Sequence, residues 1–120
     1  MGWSFDPDTP VYLQIRRRLR ADILRGRWQA GEAFPTVRAL AVEAAVNPNT
    51  VQRALTCLEE EGLLLTRGTA GRFVTGDETA LTAARDRAAR EAMKDLADRA
   101  KALGIRREEL LTFIQEEEWT

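Results

Sequence analysis

The sequence contains no histidine, only one cysteine, Cys57, and only one serine, Ser4. Without histidine, imidazole acid–base chemistry is excluded, and a serine with no base near it in sequence leaves no plausible hydroxyl nucleophile. One cysteine cannot form a disulfide within the chain or complete a zinc ligand set. We therefore expect a protein that is not an enzyme and that needs no metal ion or cofactor.

Long apolar runs are also missing. No apolar segment approaches the ~20 residues that a membrane-spanning helix needs. The first ten residues have neither the basic start nor the apolar stretch of a secretory signal. With 44% hydrophobic and 31% charged residues among 120, the composition is that of a globular protein with one modest core. We expect a cytoplasmic protein without membrane partners.

Charge is unevenly divided although the net charge is only −1. Residues 1–75 carry a net charge of +2 and residues 76–120 carry −3, and every basic residue of the first part is arginine. The arginine fork suits phosphates and guanine edges, which mildly favours a nucleic-acid partner, although a genome rich in G and C would produce the same bias.

Helix signals predict three helices in the first half of the chain. The first is expected to start with Thr9 as N-cap and Pro10 at its first position. Its apolar residues recur at helical spacing: Tyr12, Ile15, Leu19 and Ile23. The second follows the cap Thr36, and the third runs from the cap Asn47 to about Glu61. Because only about three residues separate the last two, they form a helix-turn-helix unit.

A hairpin and a helical tail complete the predicted fold. Residues 63–66 and 72–75 are predicted strands joined by a glycine-containing connection. A hairpin directly after the third helix is called a wing. An alanine-rich helix is predicted over 78–103 and another from about Arg107. The expected fold class is mainly α (α+β), with a winged helix-turn-helix over residues 1–76 and a two-helix dimerisation hairpin over residues 77–120.

The tail cannot bury its apolar stripe alone, so it packs on the winged part or on a second copy of the chain. Small alanine faces favour the second copy, because they let helices approach closely. The residues expected at this homodimer interface are Leu81, Ala84, Ala88, Ala92, Leu96, Ala100, Leu103, Leu110, Phe113 and Ile114. Trp119 caps either the hairpin or the dimer seam.

The facing of the third helix is the strongest functional signal. At about 100° per residue, Val51, Leu55 and Leu58 form a buried stripe. The outward side carries polar residues: Asn49, Thr50, Gln52, Arg53 and Thr56. Arginine can bond guanine through two acceptors, and asparagine and glutamine can do so with adenine, so this side suits base reading in the major groove. An ordinary solvated face is the alternative.

Other candidate DNA contacts lie outside the third helix. Arg38 opposes the dipole of the second helix, so a phosphate or base contact explains its position better than helix stability does. In the hairpin, Gly68 and Gly71 either allow close approach to DNA or simply make the turn, and Arg67 and Arg72 flank them. The arginines at positions 16–18 and 20 form either a solvated face or a phosphate contact.

Several ordered motifs resemble the GntR family of bacterial regulators. They are PVYLQI at 10–15, GEAFPTVRALA at 31–41, NPNTVQRAL at 47–55, LEEEGL at 58–63 and GRFV at 71–74. GIRREELL at 104–111 is similar to the tail of the YtrA-type subgroup, which lacks the large ligand-binding domain of other members. The resemblance implies a dimeric regulator, often a repressor, with Arg38, Thr50, Arg53 and Gly71 in contact with DNA.

Two departures from the family pattern are notable. Many relatives carry arginine where this sequence has Pro48 and Gln52, so their base preference does not transfer. Ala45 replaces the turn glycine of the helix-turn-helix, which costs up to ~1 kcal/mol if that position needs a positive φ.

The main prediction is a repressor that binds double-stranded operator DNA as a homodimer, on a palindrome with half-sites about 34 Å apart. A protein-interaction adaptor on a winged-helix scaffold is the alternative. A small-molecule effector, at the dimer seam or between the tail and the winged part, stays open.

Overall fold

The computed structural model describes residues 2–119; Met1 and Thr120, the outer ends of the two predicted domains, lie outside the described residues. The elements in chain order are α1 (Val11–Leu24), α2 (Val37–Ala44), α3 (Pro48–Glu60), β1 (Leu64–Thr66), β2 (Arg72–Val74), α4 (Glu78–Ala102) and α5 (Arg107–Glu116). A short 3-10 turn, Gly68–Ala70, connects the strands. The predicted fold class is confirmed. Among residues 2–119, no helix combines the length and apolar character that a membrane crossing requires.

The start of α1 differs by one residue from the prediction. Pro10, rather than Thr9, is the N-cap, and no side chain caps the helix there. The carbonyl of Pro10 accepts the first hydrogen bonds of the helix, while the carbonyl of Thr9 accepts one from Gln14 Nε2 at 2.8 Å. Proline can occupy this position because its own backbone is extended, with φ −52° and ψ 134°, and the N–H that proline lacks is not required there.

Side-chain caps fix the two helices of the helix-turn-helix, as predicted. Thr36 Oγ1 accepts a hydrogen bond from the Ala39 amide at 3.1 Å, and Asn47 Oδ1 accepts one from the Asn49 amide at 2.8 Å. Between them, Ala45 ends α2 in the left-handed conformation, with φ 58° and ψ 51°. The turn therefore needs the positive φ that glycine would adopt without strain.

The core of the first unit lies between α1, α2, α3 and the sheet. Its largest fully buried side chains are Ile15, Leu19, Val51, Leu55, Leu58, Leu63 and Leu64. Trp28 and Phe34 also belong to this core, with ring centroids 4.6 Å apart, and Trp3 and Phe5 pack the N-terminal arm against it. The apolar spacing of α1 and α3 thus places both helices against a shared interior.

A third segment pairs with the hairpin, and the sequence did not predict this pairing. β1 and β2 pair antiparallel, with Leu65 opposite Phe73. On the other edge of β2, Ala33 forms a bridge with Phe73, and the Phe34 amide donates to the Arg72 carbonyl at 2.8 Å. The segment before α2 therefore supports the wing through backbone hydrogen bonds.

Contacts divide the chain into two units, Met1–Ala84 and Arg85–Thr120, so that α4 contributes to both. Ala84 is fully buried in the core of the first unit, and Leu81 packs against that core. The expectation that Ala84 faces a second copy of the chain is therefore wrong, because the first turns of α4 complete the winged unit itself.

Candidate nucleic-acid interface

α3 has the two-sided character that the sequence predicts. Its apolar residues are fully buried: Val51, Ala54, Leu55 and Leu58. Its polar residues are exposed at Asn49, Gln52, Arg53 and Thr56, and half-buried at Thr50. The buried side fixes the rotation of the helix, so the structure brings all five predicted polar residues together on the outside.

The guanidinium of Arg53 stacks on an aromatic ring. Its central carbon lies 3.8 Å from the centroid of the Tyr12 ring on α1. Val11, Asn49 and Thr50 join these two residues around a shallow cavity of about 350 Å³. From the sequence, Tyr12 was assigned only to the apolar side of α1. Its position in the first turn of that helix was the one sign that its ring could also contact a residue at the surface.

Gln52 and Thr56 are hydrogen-bonded to each other one turn apart. The Thr56 hydroxyl donates to the Gln52 carbonyl at 3.0 Å, and Gln52 Nε2 lies 3.5 Å from Thr56 Oγ1. These local bonds restrict the two side chains on the exposed face without burying them.

Arg38 is exposed at the second position of α2. The cap at Thr36 fixes the backbone on which Arg38 lies. Arg38 is therefore an exposed cation at a helix start, where the helix dipole adds to its positive potential.

The wing loop presents small residues and one arginine. Gly68 and Gly71 have φ values of 52° and 94°, and a Cβ at either position would meet open space. Backbone conformation therefore accounts for both glycines, and their exposure leaves the loop accessible. Arg67 is exposed, and its guanidinium lies 5.1 Å from the centroid of the Phe73 ring.

Arg72, in contrast, faces the protein. Its Nε donates to the carboxylate of Glu59, which also accepts from Thr66 Oγ1 at 3.0 Å, so α3, β1 and β2 are connected. Burial raises the pKa of Glu59, but the hydrogen bonds from Arg72 and Thr66 and the charge of Arg72 outweigh it and hold the pKa below its ordinary value. The structure does not bring Arg72 together with the exposed residues of α3.

The arginine run of α1 is engaged largely within the protein. Arg16 and Arg20 contact the carboxylate of Glu61 at 3.2 and 3.4 Å, at the end of α3. Arg18 stacks on Trp3, 3.9 Å from the ring centroid. The acidic end of α3 is thus neutralised by α1, a pairing between distant segments that the sequence did not reveal.

The second unit presents an apolar surface of its own. Ala100 is buried in the single chain, so a second chain is not needed to remove it from water. A cavity of about 290 Å³ between these helices is lined largely by apolar side chains, including Met93, Leu110 and Ile114. Other predicted interface residues are exposed in the single chain: Ala92, Leu96, Leu103, Phe113 and Ile114. Trp119 is 96% exposed.

A helix-turn-helix with an outward polar second helix and an adjoining hairpin defines the winged helix-turn-helix class. The chain belongs to the gntR family of bacterial regulatory proteins, whose family model matches residues 11–74. Over 116 residues it is 33% identical to the HTH-type transcriptional repressor YtrA of Bacillus subtilis, an alignment that covers 94% of this chain and 89% of YtrA. The resemblance to this family and to its YtrA-type members is confirmed.

Solved structures show the same fold. A GntR family transcriptional regulator from Listeria monocytogenes matches with a TM-score of 0.82 and 30% identity, over 95% of this chain and 100% of that one. AraR(DBD) in complex with operator ORE1 matches with a TM-score of 0.54 and 27% identity, over 62% of this chain and 89% of AraR(DBD). The first match extends over both units, and the second over about three fifths of the chain.

Proposed function

We propose that this chain is a cytoplasmic transcriptional repressor that binds a palindromic operator as a homodimer and reads base edges with α3. One observation carries the proposal: α3 is buried on its apolar side and exposes Asn49, Gln52 and Arg53 on the other. These are the side chains that make paired hydrogen bonds to adenine and guanine in the major groove. The YtrA repressor and the operator complex of AraR(DBD) support the same function.

The proposed DNA contacts follow from exposure and charge. Thr50 and Thr56 flank the base-reading residues, Arg38 contacts a backbone phosphate, and Arg67 and Gly71 bring the wing to the neighbouring groove. Glu60 is exposed near the end of α3, where phosphates would repel it. The helix therefore enters the groove with its first turns and diverges from the DNA at its end.

Arg72 has a different place in this proposal. Since Glu59 holds its guanidinium against α3, Arg72 positions the wing rather than reaching DNA. This replaces the sequence-based expectation that it contacts DNA directly.

The homodimer is proposed to form through the second unit. Leu96 on α4, Leu103 just after α4 and Phe113 on α5 are exposed apolar side chains, and a second copy would remove them from water. Half-buried Ala88 and Leu110 lie on the same helices. A twofold dimer would present two copies of α3 to a palindrome.

Selection of bound fragments from random DNA, followed by a gel-shift titration, tests the proposal. Arg53→Ala should weaken binding to the selected duplex about tenfold or more and relax the preference at one base position. Arg90→Ala, which removes an exposed arginine of α4, is the matched control and should bind as the unchanged protein does.

Salt dependence provides the second measurement. Affinity should fall steeply as salt rises, because phosphate contacts release counterions. Unaltered affinity and base preference in Arg53→Ala would show that α3 is not the recognition helix. A flat salt response would favour the adaptor function instead.

A further inference from the structure

Arg53 is stacked on a residue from outside the helix-turn-helix. Tyr12 belongs to the first turn of α1, and its ring centroid lies 3.8 Å from the Arg53 guanidinium carbon. Tyr12 is half-buried and packs against the core, so its ring is a fixed support. Stacking uses the flat face of the guanidinium and leaves the N–H donors at its edge free to bond elsewhere.

The charge of Arg53 is also not used inside the protein. Several other arginines of the first unit form ion pairs, namely Arg16, Arg20, Arg25, Arg27 and Arg72. Within the described residues 2–119, no ion pair involves Arg53. Its guanidinium is therefore oriented by an aromatic face alone, and its edge is exposed beside the cavity that Asn49 and Thr50 line.

We infer that Tyr12 is a positioning residue for DNA recognition, which orients the Arg53 guanidinium before DNA binds and thereby increases discrimination between operator and unrelated DNA. This inference rests on the proposed function, in which Arg53 reads a base edge. Two coplanar hydrogen bonds to guanine require a defined guanidinium plane. A long side chain that is already held in that plane loses less conformational freedom on binding.

A pair of substitutions at Tyr12 separates the ring from the hydroxyl. The probes are a duplex that the unchanged protein selects from random DNA and an unrelated duplex of equal length. Tyr12→Leu should lower the ratio of the two affinities about two- to fivefold, the effect of losing an exposed cation–π contact. Tyr12→Phe keeps the stacking ring and should retain the ratio of the unchanged protein.

A double-variant cycle then asks whether Tyr12 acts through Arg53. In an Arg53→Ala background, Tyr12→Leu should cause no further loss of discrimination. A loss that persists in this background, or an equal loss in Tyr12→Phe, would overturn the inference, because Tyr12 would then act directly. If Arg53→Ala itself binds as the unchanged protein does, the proposed function fails, whatever the effect of Tyr12.

NMR of the DNA-free protein supplies a readout that needs neither DNA nor a stable Tyr12→Leu variant. Ring currents should shift the side-chain protons of Arg53 upfield in the unchanged protein and in Tyr12→Phe. Ordinary shifts for these protons in both proteins would show that the stack does not form, and the inference would fall. Urea unfolding of each variant measures the stability change, so that a folding defect is separated from a loss of discrimination.

Discussion

At the scale of single residues, Ala45 has a backbone conformation that bears directly on stability. Its φ of 58° is strained for a residue with a Cβ, so Ala45→Gly should increase the free energy of unfolding by up to ~1 kcal/mol, measured by urea denaturation. Ala39→Gly, at an exposed position of α2, is the control and should instead destabilise by ~1 kcal/mol. If Ala45→Gly also destabilised the protein, the turn would carry no strain.

Interactions within one turn of a helix could be predicted from the sequence, whereas pairing between distant elements could not. Thr36 and Asn47 were identified as caps because a capping side chain bonds an amide two or three residues away. The roles of Tyr12 and Arg72 depend on partners on other elements, Arg53 and Glu59, which no local pattern specifies. Predicted DNA contacts on one helix face were therefore brought together, whereas Arg72 was not.

At the scale of elements, helix bounds followed from the sequence to within about a residue or two. Apolar periodicity, caps and glycine stops act over a few residues, which is why these bounds could be predicted. The support of β2 by Ala33 and Phe34 could not, because it joins the backbone of an irregular segment to a strand far along the chain. Backbone pairing of this kind leaves no side-chain pattern.

The connection between the wing and α3 gives a pH-dependent prediction. The pKa of Glu59 is lowered in the folded protein, so its ionised form adds stability above its ordinary pKa of 4.5, and this is lost as the pH falls through the lowered value. Glu59→Gln should therefore lower the free energy of unfolding by about 1 kcal/mol near neutral pH, and the difference should disappear as the pH falls below the lowered pKa of Glu59.

Urea unfolding at several pH values measures this effect. Glu60→Gln, which removes an exposed carboxylate next along α3, is the matched control and should change stability little near neutral pH. A Glu59→Gln deficit that is the same at acidic and neutral pH would show that packing, not the charge on Glu59, holds the wing.

At the scale of the whole molecule, the apolar residues of the tail do not form one continuous exposed surface. The apolar periodicity of the tail predicts one continuous stripe that faces a second copy of the chain. In the structure, Ala84 and Ala100 of that stripe are instead buried within their own units. A stripe on a helix shows that residues avoid water, but it does not show which surface covers them. The exposure of each side chain in the folded chain shows which residues of the stripe are already buried and which are still open to a partner.

The exposed part of that stripe carries the final prediction. Phe113 is 54% exposed and Leu103 is 76% exposed, so aspartate at either position should leave the single chain folded while placing a charge in the proposed dimer interface. Because twofold symmetry repeats each change, Phe113→Asp should raise the dimer dissociation constant at least about tenfold in sedimentation equilibrium. Operator affinity should fall with it, since a monomer contacts only one half-site. Gln115→Asp adds the same charge at another exposed position of α5 and should leave the dimer intact. A Phe113→Asp variant that stays dimeric would place the interface elsewhere on the chain.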